Sequence, residues 1–295
     1  MRILVLGAGG QLGGLLARRC GELNIPCVAL SRAELDITDG RKLAGWIDDA
    51  CPDVLVNAAA YTDVEAAEDC EAEAARINAE ALRTIGTLCR DKAVPVIHIS
   101  TDFVYDGKKM DEYLETDEAV PLNAYGRSKL AGDRLLSERA DRYIILRLSW
   151  LFARGGRNFV AAVLGRMMRG MSLSVVDDQV GGPTYAGDAS SCILEICRRI
   201  CADGGFSSWG VYHYAGKPDV SRYEFAEFIA EAALKAGIVS ARPAIAPVSS
   251  SGFPSKVVRP RNSRLNVDKI RRVFGIGPSD WKGEILRHIG DYAMR

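Results

Sequence analysis

Ile3-Leu4-Val5-Leu6-Gly7-Ala8-Gly9-Gly10-Gln11-Leu12-Gly13 is the stretch that decides the fold. Four apolar residues read as a strand buried on both faces. Gly7, Gly10 and Gly13 come next in a GxxGxxG pattern, and a helical pattern runs on from Leu12. The first glycine permits a tight turn. The second lets backbone approach a pyrophosphate. The third lets the helix pack against the strand, while the helix N-terminus faces the phosphates. Strand, turn and helix in that order predict a dinucleotide-binding unit.

The second β-rich run, Cys27–Leu30, leads into Ser31-Arg32, and that dipeptide selects the cofactor. Chains that bind NAD commonly carry Asp or Glu there, to hold the ribose 2′-hydroxyl. A hydroxyl and a guanidinium suit a 2′-phosphate better. NADPH is therefore expected, with NADH as the alternative because Glu34 lies close behind. The competing reading makes Arg32 a solvated loop residue.

Working outward, β-rich runs at Ile3–Leu6, Cys27–Leu30, 53–57, 94–100 and Tyr143–Leu148 alternate with helical runs at 12–22, 41–50, 66–92 and 125–138. Such alternation implies parallel strands with crossover helices. The strands are short continuous apolar runs, as expected of a sheet covered on both faces. The fold class is α/β: a doubly wound parallel sheet (Rossmann) with a smaller, mostly C-terminal α/β substrate lobe. Residues 1–150 form the nucleotide domain, completed by about 185–216. Residues 151–184 and 217–295 form the lobe. In the second half, helices are predicted over 157–168, 188–200, 221–236, 267–274 and 281–292. Ser221 is placed as an N-cap, with Glu224 at the capping-box position. Strands are predicted at Leu173–Val176 and Gly210–Tyr214, and the Pro/Ser/Gly-rich stretch 243–260 reads as loop.

Composition narrows the class of function. The 295 residues carry 38 Lys+Arg against 38 Asp+Glu, a formal net charge of zero. No basic excess points to nucleic acid or to an acidic membrane surface. No run nears the roughly 20 apolar residues of a membrane span, and the first apolar run is too short for a signal peptide. A cytoplasmic enzyme with free thiols is expected. The eight cysteines include no CxxC pair. Cys192, Cys197 and Cys201 share an apolar helical stretch, read as a buried helix face rather than a metal or redox site.

Tyr125-Gly126-Arg127-Ser128-Lys129 is a YxxxK motif. On a helix its two ends share a face. A lysine charge beside the phenol would lower its pKa from about 10 and make it a usable acid. The motif begins the helix after the fourth strand, where a carboxyl-edge crevice is expected. That strand ends Ser100-Thr101-Asp102, so either hydroxyl could hold a substrate carbonyl. The competing reading has Thr101 capping a turn and Tyr125 packing.

Residues 7–13, Asn57-Ala58-Ala59-Ala60-Tyr61-Thr62, Ser100-Thr101-Asp102 and Tyr125 to Lys129 resemble the extended short-chain dehydrogenase/reductase family. Pro121-Leu122-Asn123-Ala124-Tyr125-Gly126, Leu146-Arg147-Leu148-Ser149-Trp150, Asp178-Gln179-Val180-Gly181-Gly182-Pro183-Thr184 and Arg259-Pro260-Arg261-Asn262-Ser263-Arg264-Leu265 resemble its dTDP-4-dehydrorhamnose reductase branch. The resemblance runs nearly end to end. It implies a catalytic triad of Thr101, Tyr125 and Lys129. It implies that Gln11, Leu12, Asp36, Ile37, Ala58, Ala59 and Ala60 line the cofactor beside the glycines, Ser31 and Arg32. Asp102, Phe103 and Val104 would line the substrate side, and Trp150 would stack on or beside the sugar nucleotide. Asn158, Gln179, Thr184 and Arg261 are further substrate-side candidates. Core packing for Trp150, and loop contacts for Gln179 and Arg261, compete with those roles.

The implied reaction is hydride transfer to C4 of a dTDP-linked 4-ketosugar, with Tyr125 giving the proton. Relatives bind Mg²⁺ at a carboxylate-lined dimer interface. Gly14-Leu15 stands where that carboxylate is expected, which argues against Mg²⁺ and leaves a homodimer open. Two rivals remain. One is an NAD-retaining epimerase or dehydratase of the same fold, opposed by Arg32 and by Asp102-Phe103 in place of an Asp-Glu pair. The other is a non-catalytic subunit resembling the regulatory beta subunit of methionine adenosyltransferase, opposed by the complete triad.

Overall fold

The structure is a computed structural model describing residues 1–252 and 255–293. Phe253 and Pro254, inside the expected 243–260 loop, lie outside the described residues. The first half runs β1 (Ile3–Leu6), α1 (Gln11–Glu22), β2 (Cys27–Leu30), α2 (Gly40–Ala50), β3 (Val54–Asn57), α3 (Val64–Asp69), α4 (Glu71–Ala75), α5 (Ala81–Asp91), β4 (Val96–Thr101), α6 (Ala124–Arg139) and β5 (Tyr143–Leu148). The second half runs β6 (Leu151–Phe152), α7 (Phe159–Met168), β7 (Leu173–Val176), β8 (Val180–Gly181), β9 (Thr184–Tyr185), α8 (Ala186–Ala202), β10 (Gly210–Tyr214), β11 (Val220–Ser221), α9 (Arg222–Lys235), β12 (Ile245–Val248), β13 (Asn262–Ser263), α10 (Asp268–Phe274) and α11 (Trp281–Ala293).

Six strands form one parallel sheet in the order β10-β5-β4-β3-β1-β2. Along β1, Ile3 and Val5 enter one apolar core while Leu4 and Leu6 enter another. Side chains alternate along a strand, so a run apolar at every position must be covered on both sides. The first core holds Leu12, Leu16 and Cys20 of α1 with Cys192, Ile193 and Cys197 of α8. Cys192 and Cys197 are thus core residues, whereas Cys201 is exposed. A third core gathers Val160, Leu164, Phe225, Ile229, Trp281 and Ile285 from α7, α9 and α11. The capping box on α9 is present: Ser221 Oγ accepts from the Glu224 amide, and the Glu224 carboxylate accepts from the Ser221 amide. The 243–260 stretch contains β12, which pairs parallel with β7.

One expectation is corrected. Residues 66–92 are not one helix: the chain breaks at Cys70, and a π turn (Arg76–Glu80) separates α4 from α5. The extra residue rotates Asn78 inward. Its Oδ1 accepts from the Tyr61 amide at 2.8 Å, and its Nδ2 donates to the Tyr61 carbonyl at 3.0 Å and to Ser128 Oγ at 2.9 Å. A Cβ on Gly132 would sit 1.9 Å from the Asn78 carbonyl oxygen, so α6 is admitted only because position 132 has no side chain. A π bulge of this kind is a device for re-aiming a side chain near a functional site. Here it ties the loop after β3 to the helix that carries Tyr125 and Lys129.

Candidate active site

The order of the sheet reverses at β1, whose neighbours are β2 on one side and β3 on the other. Ligands in open α/β sheets bind outside the carboxyl ends of the strands at such a point. The glycine loop meets its sequence expectations there. Gly7 has φ +85°, and a Cβ on it would lie 2.5 Å from the Ala59 nitrogen. A Cβ on Gly13 would lie 2.3 Å from the Gly7 carbonyl oxygen, so helix and strand approach as closely as backbones allow. Gly10 is the N-cap of α1 and offers no capping side chain, which leaves the first helical amides for a ligand. Ala58 and Ala59 form the facing wall: the Ala58 amide donates to Leu6, and the Ala59 amide to Asn57 Oδ1. A dinucleotide fits this cradle, because every surface it would approach is backbone or methyl.

At the end of β2, Ser31 lies beside the loop, its Cβ 3.6 Å from where a Gly9 Cβ would stand. Glu34 folds back onto the Ser31 backbone. Its carboxylate accepts from the Ser31 amide at 2.7 Å, which holds its pKa below the usual glutamate range. Arg32 is exposed. Asp36 Oδ1 accepts from both the amide and the hydroxyl of Thr38, at 3.0 and 2.8 Å, and Ile37 beside it is buried.

The catalytic candidates converge at the carboxyl end of β4. Thr101 ends the strand, and Asn123 Oδ1 caps α6 through the Gly126 amide at 2.8 Å. Thr101 Oγ1 donates to Asp102 Oδ1 at 3.0 Å and accepts from the Phe103 amide at 3.2 Å, next to the Tyr125 phenol. Phe103 packs edge-on against the Tyr125 ring, with centroids 5.7 Å apart. Burial pushes the Tyr125 phenol above its ordinary 10, and the neighbouring Thr101 hydroxyl opposes that rise.

Lys129 departs from its expected part. It shares the α6 face with Tyr125, but its ammonium group runs beneath β4. There Nζ donates to the Ile99 carbonyl at 2.7 Å and lies 3.0 Å from His98 Nε2. Lysine charge does not lower the Tyr125 pKa in this state. Hydrogen-bond polarity explains why. The Ala59 amide occupies Asn57 Oδ1, so Asn57 presents its NH₂ to His98 Nδ1 at 3.1 Å. A neutral imidazole accepting at Nδ1 carries its proton on Nε2, which faces Lys129. That arrangement suits an uncharged amine. Consistently, burial draws the Lys129 pKa from 10.5 down to about 8, with Asp133 opposing. His98 is itself held well below 6.5 by burial and by Lys129, so its 3.9 Å approach to Asp133 Oδ1 is not an ion pair.

The shifted lysine makes stability depend on pH. Below about pH 8 the lysine is charged in both folded and unfolded chains, and the native state bears the burial penalty. Above 10.5 it is neutral in both. Between these values the unfolded chain binds more protons, so native stability should rise with pH. Wild type should therefore gain unfolding free energy relative to Lys129→Met from pH 8 upward. Urea titrations at neutral pH and at about pH 10 measure this; a difference that does not change with pH would refute the shifted lysine.

Behind the triad lies a buried polar cluster. Asp133 Oδ2 accepts from Ser100 Oγ at 3.0 Å and from Arg147 Nε at 3.2 Å, and Arg147 Nη1 donates to the Tyr105 hydroxyl at 2.8 Å. Asp133 Oδ1 has no partner among the described residues. Asn57, His98, Asp133 and Arg147 were not singled out from sequence. The available signal was a polar residue inside an apolar strand, at 57, 98 and 147.

A cleft of about 1240 Å³ opens alongside, lined by Leu122, Trp150, Asn158, Gln179, Arg222 and Arg261 among others. Its wall begins near Tyr125 without including it. Four substrate-side expectations change. Val104 is fully buried in the first core, and Thr184 is fully buried with Oγ1 donating to Gly182 and accepting from Gly216. Neither reaches the cleft, because the 3-10 turn after β4 (Asp102–Val104) and strand β9 turn those side chains inward. Asp102 is buried, both oxygens engaged by Thr101 and Ser149, so it backs the threonine rather than facing substrate. Asn158 lines the cleft, but its amide is committed to Ala153, Gly155 and Gln11 while its Oδ1 caps α7. Trp150, at φ +45°, and Gln179 do line the cleft, as does Arg261, which lies 3.8 Å from Asp178. Among the described residues no group of three or more His, Cys, Asp or Glu is placed to hold a metal ion, and no helix is long and apolar enough to cross a membrane.

Comparison with known proteins agrees with this arrangement. A model of the RmlD substrate binding domain matches residues 1–294. The chain is 39% identical to dTDP-4-dehydrorhamnose reductase of Aggregatibacter actinomycetemcomitans over 295 residues, covering 99% of each chain. It is 38% identical to the Burkholderia thailandensis enzyme of the same name, covering 96% of each. The crystal structure of the Bacillus anthracis dTDP-4-dehydrorhamnose reductase in complex with NADP superposes with a TM-score of 0.89 at 29% identity, covering 98% of this chain and 99% of that one. With the glycine cradle, the triad positions and these matches over its whole length, the chain belongs to the RmlD family, the family of the dTDP-4-dehydrorhamnose reductases.

Proposed function

We propose that the chain reduces the C4 keto group of dTDP-4-dehydro-L-rhamnose to give dTDP-L-rhamnose, with NADPH preferred to NADH. The observation that carries this reading is the meeting of Thr101 and Tyr125 at the carboxyl end of β4, in a chain that also has the glycine cradle and the cleft. Residues 1–150 with about 185–216 hold the dinucleotide in this reading, and 151–184 with 217–295 hold the sugar nucleotide.

A bound nicotinamide cofactor supplies the hydride. The chain supplies orientation and the proton. Thr101 positions the Tyr125 hydroxyl, which donates its proton to the substrate oxygen as negative charge develops there. The buried Asp102 accepts from Thr101 and so fixes the threonine rotamer. Lys129, held beneath the strand by Ile99 and His98, is placed to bind the nicotinamide ribose and to return a proton to Tyr125. Phe103 keeps water from one side of the phenol.

The cofactor preference rests on Ser31 and Arg32, with Glu34 turned onto the Ser31 backbone. Arg32→Ala should raise KM for NADPH about 10- to 100-fold, the worth of one charge-assisted hydrogen-bonded contact, and leave KM for NADH nearly unchanged. Equal effects on both cofactors would refute the 2′-phosphate role. The reaction itself is tested by mixing purified protein with dTDP-4-dehydro-L-rhamnose and following NADPH absorbance, with NADH in parallel. Loss of absorbance with the rhamnose product confirmed by mass is expected. Absence of turnover in a protein that binds NADPH would overturn the assigned sugar.

A further inference from the structure

Five cationic side chains line the cleft: Lys108, Arg166, Arg222, Arg259 and Arg261. Lys108 faces Asp106 at 3.8 Å, Arg259 faces Glu65 at 2.6 Å and Arg261 faces Asp178 at 3.8 Å. Arg166 is exposed. Arg222 is different. Its guanidinium carbon lies 3.6 Å from the Trp150 ring centroid and 5.1 Å from that of Phe159. Among the described residues it makes no salt bridge, and no side-chain hydrogen bond engages it. A ring face steadies the charge but leaves the N–H donors unmatched. Burial draws its pKa down to about 9, with Asp102 opposing and Arg259 adding to the fall.

The platform beneath it is built. Trp150 adopts φ +45°, a conformation that non-glycine residues rarely take. Its indole edge rests on Gly181, where a Cβ would lie 2.7 Å from Cε2. The Arg222 backbone is fixed as the first residue of α9, next to the Ser221 cap, and its amide donates to the Gln179 carbonyl. A half-buried cation without a counter-ion among the described residues, held rigidly in a cleft wall, is a site for an anion.

We propose that Arg222 is the diphosphate anchor of the substrate cleft, presenting its N–H fork to phosphoryl oxygens of a nucleoside diphosphate sugar while Trp150 supports it from below. This rests on the sugar-nucleotide reading above and adds a residue that sequence reasoning passed over. It also changes the part of Trp150, one ring face of which is taken by the arginine. The anchor selects diphosphates over monophosphates and free nucleosides.

Calorimetric titration of the full chain with dTDP, dTMP and thymidine tests this, on wild type, Arg222→Met and Arg222→Lys. Arg222→Met should lose about 10- to 100-fold in dTDP affinity, lose less for dTMP, and bind thymidine as wild type does. Arg222→Lys should fall between, since it keeps the charge without the fork. Unchanged dTDP affinity in Arg222→Met overturns the anchor, and so does an equal loss for all three ligands. If Arg222→Met does not fold, Arg222→Lys decides: a loss confined to dTDP supports the anchor, and unchanged affinity overturns it. Failure of wild type to bind dTDP overturns the sugar-nucleotide reading itself.

Discussion

Replacing Tyr125 by phenylalanine is expected to lower turnover by about 10²- to 10⁴-fold, the usual worth of a positioned general acid, while NADPH affinity stays near wild type. The ring remains, so its edge-on contact with Phe103 is kept and the start of α6, capped by Asn123, is undisturbed. What is lost is the one phenolic proton beside Thr101. The effect belongs in kcat rather than KM, because that proton is needed only as charge develops on the substrate oxygen. The pH profile is a second readout. Burial raises the Tyr125 pKa above 10, so the acid form persists through neutral pH. The contribution of Tyr125 itself should therefore be lost only on the alkaline side, beyond the ordinary tyrosine range. A Tyr125→Phe variant with turnover within a factor of two or so of wild type would remove Tyr125 from the chemistry.

The second large effect is on stability. Asp133→Ala leaves the Arg147 guanidinium buried opposite an empty space, with only the Tyr105 hydroxyl as partner. Breaking one side of a buried pair typically destabilises by about 3–5 kcal/mol. For a protein whose total stability is expected near 5–15 kcal/mol, that is a large fraction. The pair is not in itself a large source of stability. Burial raises the Asp133 pKa despite Arg147 and Lys129, a sign that desolvation outweighs its partners. The double variant Asp133→Leu/Arg147→Met should consequently recover most of the loss, since it removes both charges together. Urea denaturation of the two single variants and the double variant measures the coupling. Additive losses would show that the two charges do not act as a pair. Asp133→Ala also removes the carboxylate that supports the charge on Lys129, so the Lys129 pKa should fall further in this variant.

Some of the molecule was legible because its signals are local. The glycine loop declares itself within seven residues, since a tight turn and a close helix–strand approach each demand a missing side chain at a set position; Gly7 and Gly13 show those contacts. Tyr125 and Lys129 share a face because helical spacing dictates it. The Ser221–Glu224 cap needs only a serine and a glutamate three apart. Strands β1, β2 and β5 begin and end where their apolar runs do.

Other features were decided by parts of the chain that meet only in the folded state. The π turn at Arg76–Glu80 leaves no mark on hydrophobic periodicity. It exists because Asn78 must reach Tyr61, 17 positions away, and Ser128, 50 away. Val104 and Thr184 sit beside motif residues, yet the turn after β4 and the direction of β9 put them into the core. Lys129 was legible as a lysine near a tyrosine, but its lowered pKa comes from burial beneath β4, where it lies against His98, itself hydrogen-bonded by Asn57 from the adjacent strand. Arg222 read as the first residue of a capped helix. Only the stacking of Trp150 beneath it, 72 residues earlier in the chain, made it a half-buried cation without a counter-ion among the described residues. Sequence thus determined the backbone plan and the reacting groups, because spacing and glycine placement act within a few residues. Tertiary structure decided charge states and ligand-facing surfaces, because these depend on which distant groups share a site from which water is excluded.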